Sequence, residues 1–491
     1  MYLPYTAVQG PVFPAPPDVF ADCSKGFSAG YEWTDTSTGI EYLCLDNSLN
    51  NATWLAKSRV GFTSDRSLGS LGDSRAARFY YSLSNNFGFS GYTHFTWGQA
   101  RSGHRLKVIY NGGLSGDRSD QMLARLPALL ASGAGAGFIQ IGVNDINFAG
   151  VGYTTVNTIG PNQGVAVTTA NVASICFQNI QFAVLRMLRA GFKKIMVMLE
   201  PGAEVFGTAQ IAAVLNLNQM LREFAEVTPG VLLFDLWAQM VDPAASSAST
   251  LRFKAGYAAE AVGSGTHMSN LGAYMVGKAF GTFLAANFPE LPYLPSNVNE
   301  ITSITTNRLL LNPLFMTTTG GTASAGASGN VPANWTADRS GGSGTQTVVV
   351  STGTPADGSP GMECIMASTF SAAGDVTRLR QDPLPANWNV GDIIEGVGSF
   401  VIDPGSKLAG VQMDLQHNDG SVTNSITDLK PLDNGAIGTD GGTFFFKTPS
   451  YKVLAKGAGA FLTLRLYAIA SAAGTATVRF RTMQVNKRFA M

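Results

Sequence analysis

Ser74 is the residue whose surroundings point most directly to chemistry. It stands in Ser70-Leu-Gly-Asp-Ser74-Arg-Ala, where a short strand is expected to end at Gly72 and Asp73, and Ser74 to open a helix. A serine so placed has its hydroxyl raised above the carboxyl edge of a sheet, where open α/β folds bind ligands. The N–H groups of the helix start can also face a developing oxyanion. Gly-Asp-Ser also reads as an ordinary helix N-cap, the commoner meaning when it is taken alone.

Three further segments could contribute. In Asn111-Gly-Gly-Leu-Ser-Gly116-Asp, Gly116 could offer an unobstructed backbone N–H, or serve only as a turn residue. In Phe138-Ile-Gln-Ile-Gly142-Val-Asn144-Asp145, a buried strand is expected to end at Gly142. The Asn144 amide would then sit at the same sheet edge as Ser74, a neutral donor suited to a tetrahedral oxyanion. Its plainer role is to cap a loop, with Asp145 holding that loop through backbone hydrogen bonds. In Gly263-Ser264-Gly265-Thr266-His267, the histidine lies on a loop just before a helix. The other histidines offer less. His94 and His104 fall in an aromatic, basic segment that suggests packing, and His417 lies beside a turn in the C-terminal part.

The order and spacing of these pieces carry more than any one of them. Gly-Asp-Ser, then Gly-x-Asn-Asp, then Gly-x-His before the last helix resembles the blocks of the GDSL/SGNH hydrolase family, over about residues 60 to 287. The run Ser115-Gly-Asp-Arg-Ser-Asp-Gln-Met-Leu-Ala-Arg-Leu-Pro-Ala-Leu-Leu130 is similar to that family's second block and following helix. The resemblance implies a three-layer α/β/α sandwich and a serine esterase. In it Ser74 is the nucleophile and His267 the general base. The oxyanion hole is made of the Ser74 and Gly116 backbone N–H groups and the Asn144 side chain. No cofactor and no metal are implied.

One position departs from the family. Its triad acid sits three residues before the histidine, where this chain has Ser264. Loss of the carboxylate that orients the imidazole costs roughly 10⁴ in rate in other serine hydrolases. Three explanations stay open: Ser264 orients His267 through a neutral hydrogen bond, a carboxylate such as Glu260 or Asp242 reaches the ring, or the site now only binds.

The elements that would position these residues follow from periodicity. Strands are expected at 67–71, 138–141, 194–199 and 231–234, and helices at 120–131, 172–188, 211–224 and 271–284. Such alternation with short apolar strands gives a parallel sheet covered on both faces. The Pro-rich stretch Phe288 to Pro295 marks a boundary, placing the hydrolase domain at 59–290. Beyond it, at 300–491, the period becomes two. Strands at 347–350, 392–400, 411–415, 444–446, 462–466 and 478–480 predict an antiparallel sandwich or jelly roll. The Thr/Gly/Ala/Ser tract at 317–329 reads as a surface loop. Residues 1–58 form a leader with short strands around Trp33, Glu41–Asp46 and Ala52–Trp54, too small for its own core.

Composition narrows the partners. The charged fraction is 13% and the formal net charge +0, which argues against nucleic acid or an anionic membrane as electrostatic partner. The four cysteines, Cys23, Cys44, Cys176 and Cys364, are too few for a disulfide framework and lack metal-ligand spacing. Cys23 and Cys44 could pair, but two buried free thiols are the expected state. Met1 to Phe20 has neither the basic nor the apolar region of a secretory signal, and no apolar run is long enough to span a membrane.

The leader resembles a short module of bacteriophage tail fibres and tailspikes, through Trp33, Tyr42-Leu-Cys44-Leu-Asp46 and Trp54. The C-terminal part, with Leu311-Asn-Pro-Leu-Phe315 and Val331-Pro-Ala-Asn-Trp335, resembles carbohydrate-binding jelly-roll modules, in which Trp335 and Trp388 could stack on sugar rings. Together these resemblances imply a homotrimeric tail protein of a virion that removes O-acetyl or other acyl groups from a bacterial surface polysaccharide, capsule or lipopolysaccharide. The alternatives are a secreted bacterial lipase or esterase, and a non-catalytic receptor-binding protein on an esterase scaffold.

Overall fold

The computed structural model describes residues 66–83, 85–150, 155–290 and 309–488, with 12–13, 24, 32–35, 40–46, 48 and 52–56 of the leader. The chain forms two compact units, each of several segments. One comprises Met1–Ala77, Leu106–Lys254 and Ala261–Thr266. The other comprises Arg78–Arg105, Ala255–Glu260 and His267–Met491.

The first unit is built on five parallel strands: β1 (Ser67–Gly72), β2 (Lys107–Gly113), β3 (Ala136–Gln140), β4 (Lys194–Met198) and β5 (Val231–Phe234). Their order across the sheet is β5-β4-β3-β1-β2. Phe138, Ile139, Ile195 and Val197 are buried, which is why the inner strands β3 and β4 are largely apolar, whereas β2 lies at the edge and is mostly uncovered. The chain leaves β1 toward one edge, then returns to continue toward the other, so β1 and β3 flank a switch point. Ligands of open α/β sheets bind outside the carboxyl ends of strands at such a point.

Short helices follow the strands: α1 (Ser74–Ala77) after β1, α2 (His94–Ser102) before β2, and α3 (Ser119–Leu123) and α4 (Leu126–Ala131) after β2. Then come α5 (Val143–Gly150), α6 (Val172–Arg189), α7 (Thr208–Val227), α8 (Leu236–Met240) and α9 (Asn270–Asn287). The single helix expected over 120–131 is two. Pro127 sits in the first turn of α4, where its missing N–H costs nothing. Inside a continuous helix it would remove a hydrogen bond and crowd the carbonyl of residue 123.

The second unit is a β-sandwich. One sheet orders the strands 322–323, 336–339, 376–381, 461–470, 408–418, 423–430, 86–90 and 80–83, and the other 327–329, 347–353, 363–370, 474–488, 393–402 and 442–447. The hairpin 80–90, far upstream in sequence, joins the first sheet through a parallel pairing of Asn86–Gly88 with Ser425–Thr427. The helices α2 and α9 belong to this unit. They pack through Gly98, Gly277 and Gly281; a Cβ at Gly277 would lie 2.3 Å from that of Trp97. Trp97 in turn meets Tyr274 and Phe444 edge-on.

Two expectations are corrected here. Trp335 and Trp388 are fully buried and belong to the core, so neither offers a face to a sugar. The tract 317–329 is not wholly irregular, because 322–323 and 327–329 pair with 336–339 and 347–353. In the leader, 32–35, 40–46 and 53–56 form an antiparallel sheet, as expected. Cys44, Cys176 and Cys364 are buried, while Cys23 lies outside the described residues. Among the described residues, no helix is long and apolar enough to cross a membrane.

Candidate active site

Ser74 is the first residue of α1 and is largely buried. The turn that delivers it leaves no room for a side chain at Gly72. Its φ is +158°, and a Cβ there would lie 2.2 Å from the Gln140 carbonyl oxygen and 2.6 Å from the Ala76 Cβ. Asp73 caps the helix, its carboxylate accepting the Arg75 N–H at 2.9 Å while its carbonyl accepts the Ala77 N–H at 2.9 Å.

The two other proposed oxyanion donors leave the adjacent strand ends. Gly116 lies on the loop after β2, with φ +86° and nothing within 4 Å of a built Cβ. Glycine is required there by the backbone conformation, not by close packing. Asn144 lies in the first turn of α5, just past β3, and its amide donates to the Asp117 carbonyl at 2.9 Å. One N–H thus anchors the amide beside the Gly116 turn, and an amide carries a second donor. Ser74, Gly116 and Asn144 therefore come from the carboxyl ends of three neighbouring strands, β1, β2 and β3.

Further side chains hold these loops, and sequence reasoning missed Arg125 and Glu204 among them. Arg125 donates to the carbonyls of Gly112 (2.7 Å) and Gly72 (3.2 Å) and pairs with Asp117, tying the ends of β1 and β2 to the Gly116 loop. Asp145 does what was expected of it: it accepts the Ser119 N–H at 2.9 Å and the Ser119 hydroxyl at 2.6 Å. Burial pushes this carboxyl up to about 7, against the pull of the Ser119 hydrogen bonds. Glu204, also buried, accepts the N–H groups of Phe253, Gly263 and Gly265, which shapes the loop 261–266. A lone acidic residue after a strand gives no sequence signal of such a role.

His267 has a carboxylate. Its Nδ1–H donates to Glu260 Oε1 at 2.5 Å, and its backbone N–H donates to Glu260 Oε2 at 3.0 Å. One side chain therefore fixes both the ring and the main chain that carries it. The other two candidates have different partners: the Ser264 hydroxyl donates to the Ala261 carbonyl at 2.8 Å, and Asp242 accepts the Ala244 N–H at 2.9 Å to close a turn. Of the remaining histidines, His94 packs edge-on to Phe280 and His417 bonds Tyr451 inside the sandwich. His104 bonds the Phe445 carbonyl at 2.8 Å, and burial lowers its pKa to about 3. Among the described residues, no group of three or more His, Cys, Asp or Glu could hold a metal ion.

Residues 70–273 match the GDSL-like Lipase/Acylhydrolase family. The matched stretch contains Ser74, Gly116, Asn144, Glu260 and His267. No curated protein matches the chain. Among solved structures, a GDSL-like lipase from Parabacteroides merdae is 16% identical, over 46% of this chain and 98% of that one, with a TM-score of 0.33. The enzymatically active domain of tailspike protein 4 from Bacteriophage CBA120 is 11% identical over 38% of this chain, with a TM-score of 0.24; the match spans only 22% of that chain's length. A family 11 carbohydrate-binding module from Clostridium thermocellum, in complex with a mixed-linked tetrasaccharide, is 12% identical over 31% of this chain and 88% of that one, with a TM-score of 0.19. Likenesses this slight bear on neither substrate nor assembly.

Folded Asp145 keeps its proton up to about pH 7, whereas the unfolded chain loses it near the ordinary carboxylate value. Its contribution to stability is thus full at acidic pH and lost as pH rises through about 7. Urea midpoints between pH 5 and 8 should show wild type losing ground to Asp145→Asn as pH rises; a constant difference would contradict the assignment. For the histidine, Glu260→Gln is expected to lower kcat on an activated ester by about 10²- to 10⁴-fold. Ser264→Asp is expected to give no gain, and a gain there would move the orienting role back to position 264.

Proposed function

We propose that this protein is a serine esterase that removes acyl groups, O-acetyl above all, from a bacterial surface polysaccharide, acting as a tail fibre or tailspike protein of a bacteriophage. The observation that carries the catalytic part is the Glu260–His267 hydrogen bond at 2.5 Å. It supplies the carboxylate missing at position 264, whose absence was the reason to consider a scaffold that only binds.

In the proposed reaction, His267 Nε2 takes the Ser74 proton as Oγ forms a bond to the ester carbonyl carbon. The carbonyl electron pair moves onto oxygen, where the N–H groups of Ser74 and Gly116 and the Asn144 amide stabilise it. The oxyanion collapses, the C–O bond to the sugar breaks, and the imidazolium protonates the departing sugar oxygen, which leaves as a hydroxyl. Water, deprotonated by the same imidazole, then attacks the acyl-serine carbonyl; the C–O bond to Ser74 breaks, the imidazolium returns the proton to Oγ, and the acid is released. Glu260 stays ionised throughout and stabilises the imidazolium.

The substrate class rests on the two flanking regions: the leader with its resemblance to tail-fibre modules, and the β-sandwich with its resemblance to carbohydrate-binding modules. A homotrimer on a virion tail is part of the same proposal. A secreted lipase or esterase would share the chemistry and differ in substrate.

Hydrolysis of p-nitrophenyl acetate by wild type and Ser74→Ala tests the chemistry. Wild type should turn over and the variant should fall to the buffer blank; equal rates for both would end the esterase reading. Acetate released from purified capsule or lipopolysaccharide, followed by NMR, tests the substrate. Hydrolysis of lipid esters in its place would favour the lipase alternative.

A further inference from the structure

We infer that Arg75 and Glu200 are positioning residues for Ser74, fixing the one-turn helix whose first residue carries the nucleophilic hydroxyl. The inference rests on the esterase reading above.

The helix α1 has four residues and cannot hold itself. Its i to i−4 hydrogen bond is that from Ala77 N–H to the Asp73 carbonyl. A first helical turn fixes about six dihedrals for one such bond, so its nucleation is unfavourable without outside contacts. Arg75 supplies them. Its side chain is buried and bridges two carboxylates. Nε and Nη2 donate to Asp73 at 3.4 and 3.2 Å, while Nη1 and Nη2 donate to Glu200 at 2.8 and 2.6 Å. Burial works against the guanidinium charge, and the two carboxylates more than offset it, so the group stays ionised.

Glu200 is itself held. Its backbone N–H donates to Asn218 Oδ1 at 2.7 Å, the Asn218 amide donates back to the Glu200 carbonyl at 2.9 Å, and the Gly202 N–H donates to the carboxylate at 2.8 Å. A chain of polar contacts thus runs from α7 through Asn218, Glu200 and Arg75 to the turn that presents Ser74. Buried ion pairs add little net stability compared with well-packed apolar groups of the same size. What this arrangement supplies is a single geometry at a place where a misplacement of about 1 Å can cost 10²-fold in rate. Lysine cannot reproduce it, because a point charge does not bridge two carboxylates in one plane.

The test compares kcat, KM and thermal unfolding for Arg75→Lys, Glu200→Gln and the double variant Arg75→Met/Glu200→Met, with Ser74→Ala as reference. Arg75→Lys and Glu200→Gln should each lower kcat by about 10²-fold while KM stays within about twofold. The double variant removes the Glu200 charge together with its partner but leaves buried Asp73 without the guanidinium, so it should recover part of the thermal stability and none of kcat. Wild-type kcat in folded Arg75→Lys or Glu200→Gln, or a kcat that returns with stability in the double variant, would overturn the positioning role. Glu200→Gln keeps the side chain's shape and decides the matter if the arginine variants do not fold. Failure of the esterase reading looks different: wild type would then be no faster than Ser74→Ala.

Discussion

The close approach of two neighbouring strand ends is the constraint from which the candidate site is built. At Gly72 the carboxyl end of β1 runs against the Gln140 carbonyl of β3, with no space for a Cβ. The sharp turn this permits puts Ser74 at the switch point of the sheet, with the loops that leave β2 and β3 on either side. The Leu114 N–H donates to the Gly72 carbonyl at 3.0 Å, so the β2 loop begins from the same spot. Fold and site are therefore one arrangement: the topology that covers both faces of the sheet also brings three possible oxyanion donors to one rim.

The histidine shows that orientation, not spacing along the chain, is what a base requires. Glu260 lies seven residues before His267 rather than three, yet meets both its ring and its backbone N–H. A bond to Nδ1 fixes the orientation of the imidazole ring. Glu204, with three backbone N–H groups on its carboxylate, does the comparable work for the loop 261–266.

Much of this was legible in the sequence. Four of the five strands of the parallel sheet could be read from the sequence, and Ser74, Gly116, Asn144 and His267 stand out through block order; β2, an edge strand with mostly uncovered side chains, gave no such signal. What was hidden had physical reasons. Glu260 could be named as a candidate but not chosen over Asp242, because a loop's path has no periodicity to read. The break between α3 and α4 was concealed by apolar residues that keep helical spacing across Pro127. The pairing of the hairpin 80–90 with the distant strand 423–430 is a long-range contact between two segments that look like local turns. Trp335 and Trp388 could not be assigned to surface or core from type alone, and burial decided it. Arg75 and Glu200 are 125 residues apart, and nothing in either neighbourhood betrays the pair.

The account stands on Ser74 acting as an activated nucleophile, and covalent capture tests that most directly. A fluorophosphonate ester loses fluoride to an activated serine and leaves a phosphonyl group on its oxygen. Mass spectrometry after tryptic digestion should place the adduct on residues 67–75, with labelling abolished in Ser74→Ala and strongly slowed in His267→Ala. An adduct on another peptide that persists in Ser74→Ala, or no adduct on the folded protein, would contradict it.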